Sequence, residues 1–200
     1  MKNKKIFKQT LFAMLLAIEV LLMFTPLGYV PIGVLRITTM HIPVLVGAMC
    51  LGIKGGALLG LSFGISSIIY NTLVPTVTSF VFSPFVSVGQ IHGNGLSLVV
   101  AIVPRVLLGV IAALIYKRLK NKSIAVIVSS GIATFIHTIL VLFLIYICFG
   151  QPYTYSRGIE YQTLFSVFLT TVFSNGILEI VIAVIINTIV MKLINKMYKI

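Results

Sequence analysis

One uncharged stretch of the sequence is rich in hydrogen-bonding side chains. Residues 71–85, NTLVPTVTSFVFSPF, contain three threonines, two serines, two prolines and three phenylalanines. Hydroxyl and amide groups can recognise a small polar solute, and phenylalanines can close over it. We therefore predict that this stretch forms a lid over a binding pocket, with Asn71, Thr78 and Ser79 as candidate ligand contacts. A connecting loop without fixed structure is the alternative.

Arg105 is a cation inside an apolar stretch, IVPRVLLG. It lies roughly 13 Å along the helix that this stretch predicts, at 1.5 Å per residue. An arginine at such a depth costs at least ~2.5–3.5 kcal/mol on insertion scales and needs a partner or water. Two interpretations are open. Arg105 could form an ion pair with Glu179 or Glu19 that holds helices together, or it could bind an anionic substrate, because arginine grips a carboxylate through two parallel N–H groups.

Three further polar residues are candidates for the same pocket. Asn175 lies in the last apolar stretch, and Arg36 and His41 flank the start of the second. An asparagine in hydrocarbon requires a hydrogen-bonding partner, so Asn71 and Asn175 could contact either another helix or a ligand. Arg36 could instead extend toward the lipid headgroups.

The motifs that commonly support catalysis are absent from the sequence. It has no G-x-x-x-x-G-K-[ST] loop to hold a nucleotide, no H-E-x-x-H and no cysteine pair with zinc-binding spacing. Aspartate does not occur at all, so the acidic clusters that hold Mg²⁺ cannot be built. We expect neither an enzyme nor a cofactor or metal in this chain.

The elements that must position these residues are membrane-spanning helices. The chain of 200 residues is 59% hydrophobic and 9% charged, with a mean hydropathy of +1.15, which is typical of integral membrane proteins. A spanning helix needs roughly 20 mostly apolar residues. The sequence predicts an all-α bundle of six transmembrane helices in a single membrane domain, residues 1–200, with spans at about 8–24, 38–53, 55–73, 96–116, 123–149 and 163–194.

The basic residues predict the orientation of this bundle. A net charge of +12 would suggest a nucleic-acid partner in a soluble protein, but here the cations cluster between apolar stretches. Basic residues concentrate on the cytoplasmic side of membrane proteins. We therefore expect both termini in the cytoplasm, the lipid bilayer as surroundings and no nucleic acid. The residues on that side are Lys2, Lys4, Lys5, Lys8, Lys54, Lys117, Arg118, Lys120, Lys122, Lys192, Lys196 and Lys199.

Glycines recur every four residues around the third predicted span, at Gly52, Gly56, Gly60 and Gly64. Small residues at this spacing let another helix approach closely. Packing inside this bundle is one explanation, and an interface with a partner protein is the other.

Three segments resemble the substrate-binding S components of energy-coupling factor (ECF) vitamin transporters, and most closely those of the pantothenate type. They are residues 28–43 (GYVPIGVLRITTMHIP), 75–85 (PTVTSFVFSPF) and 103–109 (VPRVLLG). The resemblance implies a multi-pass protein of the bacterial cell membrane that captures a vitamin from outside. It also implies a transmembrane coupling subunit, on which Ala13 and Ala17 would dock, and two ATPase subunits that hydrolyse ATP.

Pantothenate carries a carboxylate, two hydroxyl groups and an amide, which require a cation and neutral hydrogen-bonding groups. An S component for another vitamin or vitamin precursor is an alternative. A self-contained secondary transporter is a further one, although such proteins commonly contain internal repeats, and none is evident between the two halves of the chain. The candidate substrate-binding residues are Arg105, Asn71, Asn175, Thr78, Ser79, Arg36 and His41.

Overall fold

A computed structural model describes residues 2–32, 35–119 and 124–198. In these residues five helical stretches are long and apolar enough to cross a membrane, and the chain is an all-α membrane protein. The last of the five comprises α5, a π-helical turn at Val172–Gly176 and α6. The helices are α1 (Lys2–Phe24), α2 (His41–Leu73), α3 (Gly95–Leu119), α4 (Ala125–Arg157), α5 (Leu164–Thr171) and α6 (Ile177–Tyr198).

Helix α2 reverses direction at Gly52, so that its first arm, residues 41–51, lies beside its second arm, residues 53–73. A methyl group at Gly56 would come within 2.8 Å of the Ala48 Cβ, which shows how closely the arms approach. Gly52 has φ 80° and ψ −167°, a conformation that glycine adopts without strain. The spans predicted at about 38–53 and 55–73 place the turn at residue 54, slightly later in the chain. The first glycine of the predicted series therefore makes the turn instead of a helix contact.

The other three glycines of the series pack α2 directly against α3. A methyl group at Gly60 would collide with the Arg105 carbonyl, and one at Gly56 would come within 2.7 Å of the Gly109 carbonyl. A methyl group at Gly64 would come within 3.0 Å of the α3 backbone. Of the two explanations for the series, packing inside the bundle accounts for these three positions. This packing also fixes the position of the backbone that carries Arg105.

The stretch predicted as a lid is structured and packed between helices. Residues Ser79–Val81 form a short 3₁₀ helix, and Phe80 and Val81 are fully buried in a cluster with Phe149 and neighbouring apolar residues. The rings of Phe80 and Phe149 meet edge to face, with centroids 5.8 Å apart. A loop without fixed structure is therefore excluded. Phe85, by contrast, is 76% exposed and does not cover the interior.

Two short β-hairpins, which the sequence did not indicate, flank the helices. Strands β1 (Tyr29–Ile32) and β2 (Leu35–Thr38) pair antiparallel, with Tyr29 opposite Thr38. Strands β3 (Ser87–Val88) and β4 (Ile91–His92) form the second hairpin. The first hairpin leads into α2, and the second leads into α3.

Helix α4 continues beyond its predicted end at residue 149. The helix is irregular at Phe149, with φ −135° and ψ 16°, and then runs through Pro152 to Arg157. Gly158 ends it in the left-handed conformation that is common at helix ends. The extension matters for function, because Tyr153 and Arg157 lie on it and face the interior cavity described below.

Candidate binding site

A cavity of about 240 Å³ lies between the first hairpin, the segment 76–82 and helices α2 to α6. Apolar and aromatic side chains form part of its wall, among them Phe63, Phe82 and Val141. Such a mixture of apolar wall and a few polar groups is typical of sites for small molecules. Besides the tyrosines Tyr29 and Tyr153, the polar residues that line it are Thr38, Ser67, Asn71, Thr76, Thr78, Arg105, His137, Thr138, Arg157, Thr171, Asn175 and Glu179.

Arg105 reaches this cavity from α3 and is 7% exposed. One terminal nitrogen donates to the Val100 carbonyl at 2.6 Å, while Nε has no hydrogen-bonding partner. The guanidinium carbon lies 5.5 Å from the centroid of the Phe63 ring and 5.2 Å from that of Phe82. Rings at these distances attract a cation. The guanidinium is thus held in place by its neighbours and keeps donors for a ligand.

Glu179 lines the cavity without forming the ion pair that was one interpretation of Arg105. Its Oε1 accepts a hydrogen bond from the Thr38 backbone N–H at 2.9 Å, and its Oε2 accepts one from the Thr138 hydroxyl at 3.5 Å. Glu19, the other proposed partner, is fully buried and lies close to the Ser62 side chain. Among the described residues, no carboxylate is within salt-bridge distance of Arg105.

Asn71 and Ser79 connect α2 to the segment 76–82, which lines the cavity. Asn71 Nδ2 donates to the Ser67 carbonyl at 2.8 Å, and its Oδ1 accepts from the Ser79 hydroxyl at 2.9 Å. The same hydroxyl accepts from the Thr76 N–H at 2.9 Å. Ser79 is fully buried and does not line the cavity, whereas Asn71 and Thr78 do. Ser79 therefore holds this segment in place through hydrogen bonds made outside the cavity.

Asn175 reaches the cavity from the π-helical turn between α5 and α6. Its Oδ1 accepts from the Ser174 hydroxyl at 3.3 Å, but its Nδ2 has no hydrogen-bonding partner. A π-helical turn inserts one residue into a helix and is frequent at functional sites. Asn175 thus offers an amide donor to whatever occupies the cavity.

The two candidates from the start of the second predicted span are placed differently. His41 is the first residue of α2, is 1% exposed and does not line the cavity. Arg36 lies on β2 opposite Pro31, and its side chain is outside the described part of the structure.

Several residues that line the cavity were not among the candidates. Arg157 is a second cation, and the sequence placed it in a loop, because Pro152 and Gly150 conceal the continuation of α4. His137 and Thr138 also lie on α4, about one helical turn after Thr134 in the chain. The signal for His137 was its position as the one histidine inside an apolar span.

Ala13 and Ala17 are both exposed on α1, on a surface that includes Met14 and Leu21. They do not take part in packing inside the bundle. This surface is available to lipid or to another membrane protein.

Helices that cross a membrane and enclose a polar cavity with a cation define a membrane protein that binds a small polar solute. A family model described as "ECF transporter, substrate-specific component" matches residues 7–191, and the chain belongs to this family. It is therefore a component of a transporter and not an enzyme, and the resemblance seen in the sequence is confirmed. The chain is also similar to the pantothenic acid transporter PanT of Lactococcus lactis subsp. cremoris (strain MG1363), with 35% identity over 164 residues, which cover 80% of this chain and 78% of the relative.

Proposed function

We propose that this chain captures pantothenate in the cavity for uptake by an ECF-type transporter. The observation that carries the proposal is Arg105, a buried guanidinium that lines the cavity with no carboxylate in salt-bridge distance among the described residues. Pantothenate supplies the missing anion. The similarity to a relative that is named a pantothenic acid transporter supports the same substrate.

The neutral groups of the cavity suit the remainder of the substrate. Its hydroxyl and amide groups both donate and accept hydrogen bonds. Glu179 offers acceptor oxygens, Asn175 an amide donor and Thr78 a hydroxyl. In this arrangement Arg105 binds the carboxylate, and the segment 76–82 covers the bound molecule. His41, which does not line the cavity, would act only at its periphery, and Arg36 stays a candidate contact.

The partners follow from the same proposal. The chain would cross the membrane six times, as a single domain with both termini in the cytoplasm. The first hairpin and the short first arm of α2 would together make one crossing, and the second arm of α2 would make the next. It would dock on a transmembrane coupling subunit through Ala13 and Ala17 of α1. Two ATPase subunits would hydrolyse ATP, because this chain has no phosphate-binding loop of its own.

The test is a panel of water-soluble vitamins applied to the purified chain, with thermal stability as the measurement. A ligand at 100 times its Kd adds about 2.7 kcal/mol to the free energy of unfolding. We expect pantothenate to raise the Tm at micromolar concentration and the other vitamins to leave it unchanged. Stabilisation by a different vitamin alone would reassign the substrate within the family, and stabilisation by none would contradict capture by the isolated chain.

A further inference from the structure

Three fully buried polar side chains on α4 and α6 have no hydrogen-bonding partner among the described residues: Ser130, Thr134 and Asn187. We call them the α4–α6 column. The hydroxyl of Ser129, next along α4, donates to the carbonyl of Ala125 at 2.7 Å, as buried helix hydroxyls commonly do. The two hydroxyls of the column make no such bond, and both polar atoms of the asparagine side chain are unpartnered. Their partners must come from elsewhere.

The register of the two helices places the column beneath the cavity. A methyl group at Gly176 would lie 3.5 Å from the Thr138 side chain, and one at Gly131 would lie 3.7 Å from Val184. Because the helices run antiparallel with these pairs at equal height, Thr134 lies level with residues 180–181 of α6 and Ser130 with residues 184–185. Asn187, the α6 member, lies less than one helical turn beyond the level of Ser130.

The column lies between the cavity and a contact between two sulfur atoms. Glu179, which lines the cavity, and Asn187 lie on the same face of α6, about 12 Å apart at 1.5 Å per residue. One turn further, Met191 is 2% exposed, and its sulfur lies 3.6 Å from the Cys50 sulfur. Ile194 follows on the same face and is also buried. The polar column is therefore closed at this end and adjoins the cavity at the other.

Unpartnered polar groups are costly in the interior of a membrane protein. The buried neighbours Ala133 and Ala183 on the facing helices are small and cannot form hydrogen bonds. Water both donates and accepts, and buried waters typically bind such groups. We propose that the α4–α6 column binds a file of ordered water molecules that is continuous with the cavity and stops at Met191. This inference does not depend on which solute the cavity captures.

Hydroxyl-radical footprinting with X-ray pulses tests the proposal on the full-length chain in detergent or lipid discs. Radicals form from waters in place, so a buried side chain beside ordered water is oxidised faster than one in a dry environment. Met191 is the reporter, and Met23, 6% exposed in the apolar core of α1, is the control. We expect Met191 to be oxidised at least about fivefold faster than Met23, although it is less exposed. Equal or slower oxidation of Met191 would overturn the proposal.

The variant Asn187→Leu keeps the size of the side chain and removes the polar end of the column. We expect the oxidation rate of Met191 to fall toward that of Met23, with no rise in Tm. A raised Tm with an unchanged Met191 rate would mean that the asparagine sits in a dry core, and the proposal would be wrong. If this variant fails to fold, Ser130→Ala takes its place, with the same expected changes in the Met191 oxidation rate and in the Tm. A wild-type Tm that depends on sodium, with choline as the replacement cation, would assign the column to a cation and would also refute the water file.

Discussion

Replacing Arg105 by glutamine separates a substrate contact from a structural role. The change removes the cation but leaves a side chain that can still donate a hydrogen bond. It also removes the bond to the Val100 carbonyl and the contacts with Phe63 and Phe82. Those losses affect every ligand alike, because they concern the shape of the cavity. The loss of charge affects only a ligand with a carboxylate.

The informative quantity is the difference between two ligands. Truncating one partner of a buried charged contact costs about 2–5 kcal/mol, which corresponds to roughly 30-fold and upward in Kd. We expect Arg105→Gln to weaken pantothenate binding by this amount. An analogue in which an amide replaces the carboxylate should lose much less. The measurement is isothermal titration calorimetry of the purified chain with both ligands, at fixed pH and ionic strength.

Arg157→Gln is the matched control, since it removes the same charge from the same cavity. Arg157 is only partly buried, and exposed charge pairs typically contribute about 0–1 kcal/mol. We expect a small loss, and a loss equal to that of Arg105→Gln would mean that the overall charge of the cavity, not one contact, selects the anion.

Combining Arg105→Gln with Glu179→Gln tests the ion-pair interpretation directly. Leaving one buried charge without its partner is worse than removing both. Because Glu179 is bonded to Thr38 and Thr138 instead, we expect no recovery of stability in the double variant. Equal affinity losses for the charged and neutral ligands, together with recovery in the double variant, would refute the assignment of Arg105 to the substrate.

Three other changes test the packing, the docking and the orientation. Gly60→Ala should lower the free energy of unfolding by about 1–3 kcal/mol, because its methyl group meets the Arg105 carbonyl. Gly131→Ala, with no contact closer than 3.7 Å, should leave the Tm nearly unchanged, and similar Tm shifts in both variants would contradict the packing argument. Ala13→Trp and Ala17→Trp should preserve pantothenate binding by the isolated chain but abolish uptake with the coupling and ATPase subunits. The control Ile185→Trp, exposed on α6, should support normal uptake. Uptake at the wild-type rate in both alanine variants would remove this face of α1 from the docking surface. In a background without Cys50 and Cys148, a cysteine at the exposed Gln90 should react with an impermeant thiol reagent on intact cells and one at the exposed Lys117 should not, and the opposite pattern would reverse the proposed orientation.

The sequence predicts those parts of the site that depend on single polar or charged residues inside apolar stretches. Arg105 stands out because a cation in an apolar helix needs a reason. Asn71 and Asn175 stand out for the same reason, and both line the cavity. These signals are local, so one chain is enough to detect them.

Features that depend on packing between distant segments were not predictable. Arg157 enters the cavity only because α4 continues through Pro152, and a proline usually argues for the end of a helix. Ser79 looks like a ligand contact in the sequence, but its hydroxyl is used by Asn71 and Thr76. Whether a hydroxyl faces a ligand or its own chain is decided by tertiary structure.

The short first arm of α2 has a consequence for the electrostatics of the cavity. At 1.5 Å per residue the arm is about 16 Å long, roughly half of the hydrocarbon thickness, so it cannot extend from one membrane surface to the other. Its amino end therefore lies inside the bundle, where the unpaired N–H groups of a first helical turn carry partial positive charge. Thr38, three residues before His41, donates its N–H to Glu179. The N–H of Thr38 on β2, close to this helix end, thus serves the one acidic residue that lines the cavity, and the charge of Arg105 is available to a solute.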